Sequence, residues 1–218
     1  MATTTRQDVL GTLIDTCGRT YADEAGIRLK DTPQPLYQLL VLSLLLSARI
    51  RAGVAVAAAK ELSEAGMRDP KRMARATWQQ RVDALGRGGY RRYDERTATQ
   101  LGEVAEQVDQ EYGGDLRRLH ERAAGDTGAL SELLQEFPGM GPGGASIFLR
   151  EVQSVWPDVA PYLDGKALQG AERLGLPDSP GPLLRLAGDT DTAVLAAALV
   201  RVALDKGVAE DVQEAAAH

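Results

Sequence analysis

The residues best suited to chemistry lie in one short stretch, Phe137-Pro138-Gly139-Met140-Gly141-Pro142-Gly143-Gly144-Ala145. Glycine accepts positive φ and proline ends a preceding helix, so this composition makes a tight turn with an exposed backbone. Apolar residues at helical spacing flank it, with Leu130, Leu133, Leu134 and Phe137 before and Ala145, Phe148, Leu149 and Val152 after. Each flank predicts an amphipathic helix. A helix that begins on glycines presents bare N–H groups to the turn, which is the chemistry of an anion site, phosphate above all. An ordinary connector between two helices has a similar composition, and spacing alone does not separate the two.

Charge is the second source of chemistry. The net charge of −6 opposes a nucleic-acid role, because affinity for phosphate comes from Lys and Arg. Distribution matters more than the total. Arg68, Lys71, Arg72, Arg75, Arg81, Arg87, Arg91, Arg92 and Arg96 are opposed only by Asp69, Asp83, Asp94 and Glu95. The remaining acids gather toward the two ends and around Glu103 to Glu111. A local basic face on an acidic protein is the expectation; for Lys71 to Arg81 a merely solvated face is the alternative. Cys17 is the only cysteine, which excludes internal disulfides and a four-cysteine metal or iron–sulfur site; it reads as a small buried residue. His120 and His218 are too isolated in sequence for a metal site, and no Ser-His-Asp or phosphate-loop pattern is present.

The elements that must position these groups are helical. Hydrophobic residues make up 44% and aromatics only 5%, so the core is built from Leu, Val and Ala, which favour helix. No period-2 run flanked by turn signals appears, and the expected class is all-α. Helices are expected over 5–21, from Pro33 and Pro35 to Ser47, over 52–65, from Asp69-Pro70 to Thr77 and over 79–85. Further ones follow from Asp94 through Tyr112, over 115–123, on both sides of the glycine turn, from Asp164 to Leu174 and over 191–206. The stretch Leu36 to Leu46 is apolar on nearly every side and reads as the central buried helix. The segments 86–93 and 177–182 read as loops, and the tail after Val208 is expected to fray. No internal repeat is visible. A polar N-terminus and the absence of a long apolar run predict a cytoplasmic protein with no membrane partner.

Three landmarks, in order, resemble the helix-hairpin-helix DNA glycosylase superfamily, in particular its endonuclease III-like branch. The turn Phe137-Pro138-Gly139-Met140-Gly141 with Ala145 resembles the family's hairpin. Tyr162-Leu163-Asp164 resembles the apolar residue and Asp that open a later helix. Leu45-Leu46-Ser47-Ala48-Arg49 resembles the end of its first buried helix. The likeness covers roughly residues 33 to 176. It implies two helical lobes beside a cleft, one made of 1–32 with 145–218, the other of 33–144 and ending in the hairpin at 137–144.

The resemblance also implies roles. Asp164 would be the carboxylate beside C1′ of a flipped nucleotide, stabilising an oxocarbenium-like state; a plain helix cap is the alternative. Arg49 stands where the family inserts a Gln into the gap left by the flipped base, and can fill it and hydrogen-bond the orphaned base. Arg51 would contact phosphate, and Arg91 would belong to the DNA-binding surface. Tyr90, in the Gly88-Gly89-Tyr90 loop, would be a wedge, with loop packing as the alternative for it and Tyr93. Gly139, Met140, Gly141 and Gly143 would face the DNA backbone, with a monovalent cation on the hairpin carbonyls. Bifunctional members carry a nucleophilic Lys at the position of Gly143, so this chain departs from them and reads as a monofunctional base-excision repair glycosylase. Lys166 could restore lyase chemistry but reads more simply as a surface lysine. The expected partner is double-stranded DNA with a damaged or abasic site, met by a monomer that needs no iron–sulfur cluster. The rival readings are an AP lyase using Lys166, a non-catalytic lesion- or junction-binding protein, and a helical scaffold with no DNA role.

Overall fold

The computed structural model describes residues 4–217, and every regular element among them is a helix, as the composition predicts. The chain runs α1 (Arg6–Cys17), α2 (Tyr21–Glu24), α3 (Pro33–Ser47), α4 (Ala52–Glu64), α5 (Pro70–Arg75), α6 (Trp78–Arg87) and α7 (Asp94–Tyr112). It continues through α8 (Arg117–Ala123), α9 (Thr127–Gln135), α10 (Pro142–Val152), α11 (Gly165–Arg173), α12 (Pro180–Ala187), α13 (Thr192–Leu204) and α14 (Lys206–Ala216). Among the described residues no helix is long and apolar enough to cross a membrane.

The chain divides into two compact units: residues up to Thr20 together with Ala160 onward, and Tyr21–Val159. The division is discontinuous, but its boundaries differ from the expected 32/33 and 144/145. The reason is α10. It packs on α3, and its buried Glu151 carboxylate accepts from the Tyr21 and Ala22 N–H groups at 3.1 and 2.9 Å. Those bonds satisfy the bare start of α2 and hold residues 21–32 and 145–159 in the same unit. Burial pushes the Glu151 carboxyl up, while the two N–H donors pull it down.

Within Tyr21–Val159, α3 is the centre. Leu36, Tyr37, Leu39, Leu40, Val41, Leu42, Leu44 and Leu45 are buried around its whole circumference, against α4 on one side and α10 on another. Thr32 and Pro33 open it, because Pro at the first turn has no N–H to leave unsatisfied. A buried guanidinium fastens α5, α6 and α7. Arg81 Nε donates to Ala98 O at 2.7 Å, and Nη1 donates to Met73 O at 3.0 Å and Ala76 O at 2.7 Å. Gly102 of α7 is small because of it: a Cβ there would lie 2.8 Å from Arg81 Nη2.

The other unit is built on α11 and α13, with α1 packed on α13 and α14. Leu10, Leu13 and Cys17 of α1 enter a core with Ala167, Ala171, Leu195, Leu199 and Val202. Burial raises the Cys17 thiol above its ordinary value, as suits a core residue. Gly170 lets α11 meet α13 backbone to backbone, since a Cβ there would overlap the Leu199 carbonyl.

Three local expectations are corrected. The first helix stops at Cys17, capped by Gly18, and Tyr21–Glu24 is a separate turn of helix. The segment 177–182 is not all loop: Ser179 precedes a helix with Pro180 in its first turn, so that proline opens a helix instead of breaking one. The tail does not fray at Val208. Asp205 caps α14 by accepting from Gly207 N at 2.9 Å, and Val212 is fully buried.

The Gly170 contact gives a first prediction. Gly170→Ala should cost about 2 kcal/mol or more, as overpacking of a close contact does, read as a lower urea midpoint. Gly11→Ala, on an α1 face with nothing within 4 Å, should instead stabilise by roughly 0.5–1 kcal/mol, the helix-propensity gain of Ala over Gly. Equal effects of the two would contradict the close approach.

Candidate nucleic-acid interface

The stretch from Phe137 to Gly141 forms a tight turn between α9 and α10. Met140 N donates to Phe137 O at 3.0 Å, with Pro138 and Gly139 between them. Gly139 has φ +82, so this is the geometry of a type II turn, in which the third residue takes positive φ. Two apolar residues anchor it. Phe137 is buried and its ring tilts against Tyr112 of α7 at 6.1 Å. Met140 is buried too, and its sulfur lies where a Cβ on Gly144 would be.

The turn delivers the chain to α10 with Gly141 as the residue before the first helical position and no side-chain cap. Gly143 and Gly144, in the first turn, have no helical partner four residues back; Gly144 is buried, and the exposed Gly143 offers its N–H to an anion. Gly141 and Gly143 have nothing within 4 Å of where a Cβ would sit, and Gly143 is exposed. The helix dipole adds positive potential at the same place.

A pocket of about 270 Å³ lies beside this turn. Its wall is shared by the end of α3 and the residues after it (Leu44, Ser47, Ala48, Arg49), by Tyr90 and Tyr93, by Arg96, Thr97 and Gln100 of α7, and by Gly139 of the hairpin. It holds two guanidiniums and no carboxylate. Ser47 Oγ donates to Leu44 O at 2.7 Å, which leaves its lone pairs to the pocket. The lining otherwise offers the donors of Arg49, Arg96 and Gln100 beside the Tyr93 ring, which suits an anionic or acceptor-rich group.

The structure thus brings Arg49, Tyr90 and Gly139 to one site. Arg51 and Arg91 are exposed but do not line the pocket. Gln100 is a pocket residue that the sequence pattern did not single out, and Arg96 and Ser47 were named only within the basic run and the α3 landmark. The signal was the spacing of Arg96 and Gln100, four apart on one face of α7. Two expected contacts need correction. Tyr90 does not project as a wedge: it is 1% exposed and its hydroxyl pairs with Thr97 Oγ1 at 3.4 Å. The Met140 side chain is buried and its N–H closes the turn, so it supports the hairpin from beneath and offers neither group to a ligand.

The basic run also separates into roles. Arg81 is a buried fastener, not part of a basic face. Arg87 pairs with Glu61 at 2.8 Å, Arg72 with Asp69 at 3.3 Å, and Arg92 lies over the Tyr93 ring at 5.3 Å. His120 is not a lone histidine: its ring stacks on Trp156 at 4.1 Å and Nε2 meets Asp158 Oδ2 at 2.7 Å. His218 lies outside the described residues. Among those residues no group of three or more His, Cys, Asp or Glu is placed to hold a metal ion.

Asp164 and Lys166 belong to the other unit, at the start of α11. Asp164 is the residue before the first helical position, and its Oδ1 accepts from Ala167 N at 3.0 Å. Lys166 is exposed and Nζ donates to Gln169 Oε1 at 2.9 Å. Lys166, with Leu168, Glu172 and Asp178 on the same helix and the segment after it, lines an open surface depression whose other charged groups are acidic.

The hairpin geometry sets different tolerances at its two turn glycines. Gly139→Ala should cost about 1–2 kcal/mol, the penalty for an L-residue in the left-handed region, and a Cβ there would also press on the Gln100 side chain at 2.6 Å. Gly141→Ala should shift stability by no more than about 0.5 kcal/mol, the usual scale for a substitution that meets nothing. Chemical denaturation of the two variants checks the order.

Compared with known proteins, the chain matches no family model, no curated protein and no solved structure.

Proposed function

We propose that this protein binds damaged duplex DNA through the α9–α10 hairpin and excises a base from it as a monofunctional N-glycosylase. One observation carries the binding half. The Arg49 and Arg96 guanidiniums share one pocket with Gly139 of the hairpin, and no carboxylate stands in its wall; two residues further on, the chain enters α10 with no side-chain cap. The glycine N–H groups suit a phosphate of the backbone. Arg49, on the segment that leaves α3, suits the space vacated by an extruded base. A monovalent cation on the hairpin carbonyls belongs to the same reading.

The chemical half is assigned to Asp164. Breaking the N-glycosidic bond leaves positive charge on C1′ and the sugar oxygen, and an anion held beside it lowers the barrier. The bond from Ala167 N–H holds the carboxylate in place, so little reorganisation is needed as charge develops. Gly143 carries no amine, so water is the nucleophile. Its oxygen bonds to C1′, its proton passes to Asp164, and the base leaves with the bonding pair. A cytoplasmic monomer acting without an iron–sulfur cluster is the setting proposed for it.

A second reading is a DNA-binding protein that does no chemistry. It is favoured by the engagement of both candidate groups in local bonds, Asp164 with Ala167 N and Lys166 with Gln169. An assay over a panel of damaged bases separates the two. The first reading expects base release that leaves an intact abasic strand, broken only by later heat or alkali, and no adduct trapped by borohydride. Asp164→Asn keeps the cap and removes the charge, so turnover should fall by about 10²-fold or more with DNA affinity kept. Base release by the variant at the parent rate would leave Asp164 a cap only. Trapping that disappears in Lys166→Ala would make Lys166 a nucleophile. No release from any lesion would select the second reading.

Binding itself has a separate check. Gly141→Val adds a Cβ that meets nothing within 4 Å but crowds the space a phosphate would fill. It should weaken DNA binding equally across sequences, because phosphate contacts carry no base information. An unchanged dissociation constant at matched salt would remove the hairpin from the interface.

A further inference from the structure

A second basic depression in Tyr21–Val159 plays no part in the hairpin pocket. It lies between the α4–α5 turn, α5 and α6, with a volume of about 410 Å³. Three guanidiniums line it: Arg72 and Arg75, one turn apart on α5, and Arg87 at the end of α6. Met67 forms apolar floor, and Asp83 is the single carboxylate in the wall, already accepting from Gln79 Nε2 at 2.8 Å.

Two of these arginines are held in place from outside the depression. Glu61 Oε2 accepts from Arg87 Nε at 2.8 Å, and Asp69 Oδ2 lies 3.3 Å from Arg72 Nε. In both cases the contact uses the inner nitrogen and leaves the terminal nitrogens, which form the fork that grips a phosphate. The Arg75 side chain makes no hydrogen bond or ion pair among the described residues. The three cations stand on two helices around one depression. They can all be used by an extended anion that repeats its charge.

The path onward has the same character. After Arg87 the chain turns through Gly88, which has no room for a Cβ because Ala58 of α4 lies against it, and so fixes the turn to α4. Exposed Arg91 and Arg92 follow, and then Arg96 in the hairpin pocket. From these observations we infer that the α5–α6 depression is a second phosphodiester-binding groove, which takes the sugar-phosphate backbone of the DNA flanking the segment held at the hairpin. The inference rests on the DNA-binding reading above and assigns Arg72, Arg75 and Arg87 to the outer part of the footprint.

The test measures affinity against salt for the full chain on duplexes of about 10 and about 25 base pairs carrying a stable abasic analogue, over a salt range where counterion release is resolved. The variant Arg72→Gln/Arg75→Gln/Arg87→Gln should bind the short duplex like the parent. On the long duplex its log–log salt slope should be shallower by about 2 to 3, close to one for each phosphate that the variant leaves unneutralised. Arg75→Gln alone has no intramolecular bond to break, and should flatten the slope by about one on the long duplex only. It carries the test if the triple variant melts early. Equal slopes for parent and variants on the long duplex overturn the groove and leave the hairpin reading standing. A flattening of the same size on the short duplex also overturns it, since the arginines would then act at the hairpin. A parent protein that binds neither duplex overturns both.

Discussion

Everything at the candidate interface depends on how closely the start of α10 can approach α3. Gly144 faces Ser47 there, with room for no more than a hydrogen, because the Met140 sulfur fills the space beneath it. Met140 can fold under the helix only because the turn reverses at Gly139, where φ is +82. Phe137 then locks the other side of the turn onto Tyr112. A larger residue at position 144 would push the hairpin off Ser47, and the pocket would lose the wall that Gly139 and Ser47 supply together. Van der Waals exclusion, not an attractive interaction, is thus what sets how close the start of α10 comes to Ser47 at the end of α3.

The second support is the Arg81 guanidinium. Burial disfavours its charge and pulls its pKa down, so the site is tolerable only because three carbonyls accept from it. Two of those carbonyls, Met73 and Ala76, lie at the end of α5, where unsatisfied acceptors concentrate the negative pole of the helix. The third, Ala98, is one residue past Thr97 on α7. Fixing Ala98 fixes the register of α7, and with it the face that shows Arg96 and Gln100 to the pocket. One buried cation therefore orients exposed groups some distance along the same helix.

Much of this was legible in the sequence, and what was missed has a physical cause. The glycine turn, its flanking helices and the all-apolar α3 follow from composition and spacing, because local backbone chemistry and helical period decide them. Arg81 reads with its neighbours as part of a basic face, since nothing in a one-dimensional pattern separates a guanidinium that reaches inward from one that reaches out. Tyr90 misleads in the same way: a tyrosine beside glycines looks exposed, yet its hydroxyl finds Thr97 and the ring is buried. The cap at Asp164 was foreseen because an acid before a helix has a local signature. The bonds of Glu151 to Tyr21 and Ala22 cross some 130 positions of chain, and no local pattern announces them. They also moved the boundary between the units.

The net charge of −6 has a consequence for any DNA-binding role. Screening at physiological salt confines exposed charges to a range of about 8 Å, so acids elsewhere on the chain do not cancel Arg49 and Arg96 at contact distance. They do remove the long-range attraction that draws basic proteins to any duplex. Binding would then depend on what is gained at contact, namely hydrogen bonds from the glycine N–H groups and the placement of Arg49. An intact duplex offers the first but keeps its bases stacked, so it offers nothing to the second. A lesion that opens the stack offers both. In a DNA-binding protein of this kind the acidic total would raise discrimination by weakening the nonspecific competitor more than the specific complex.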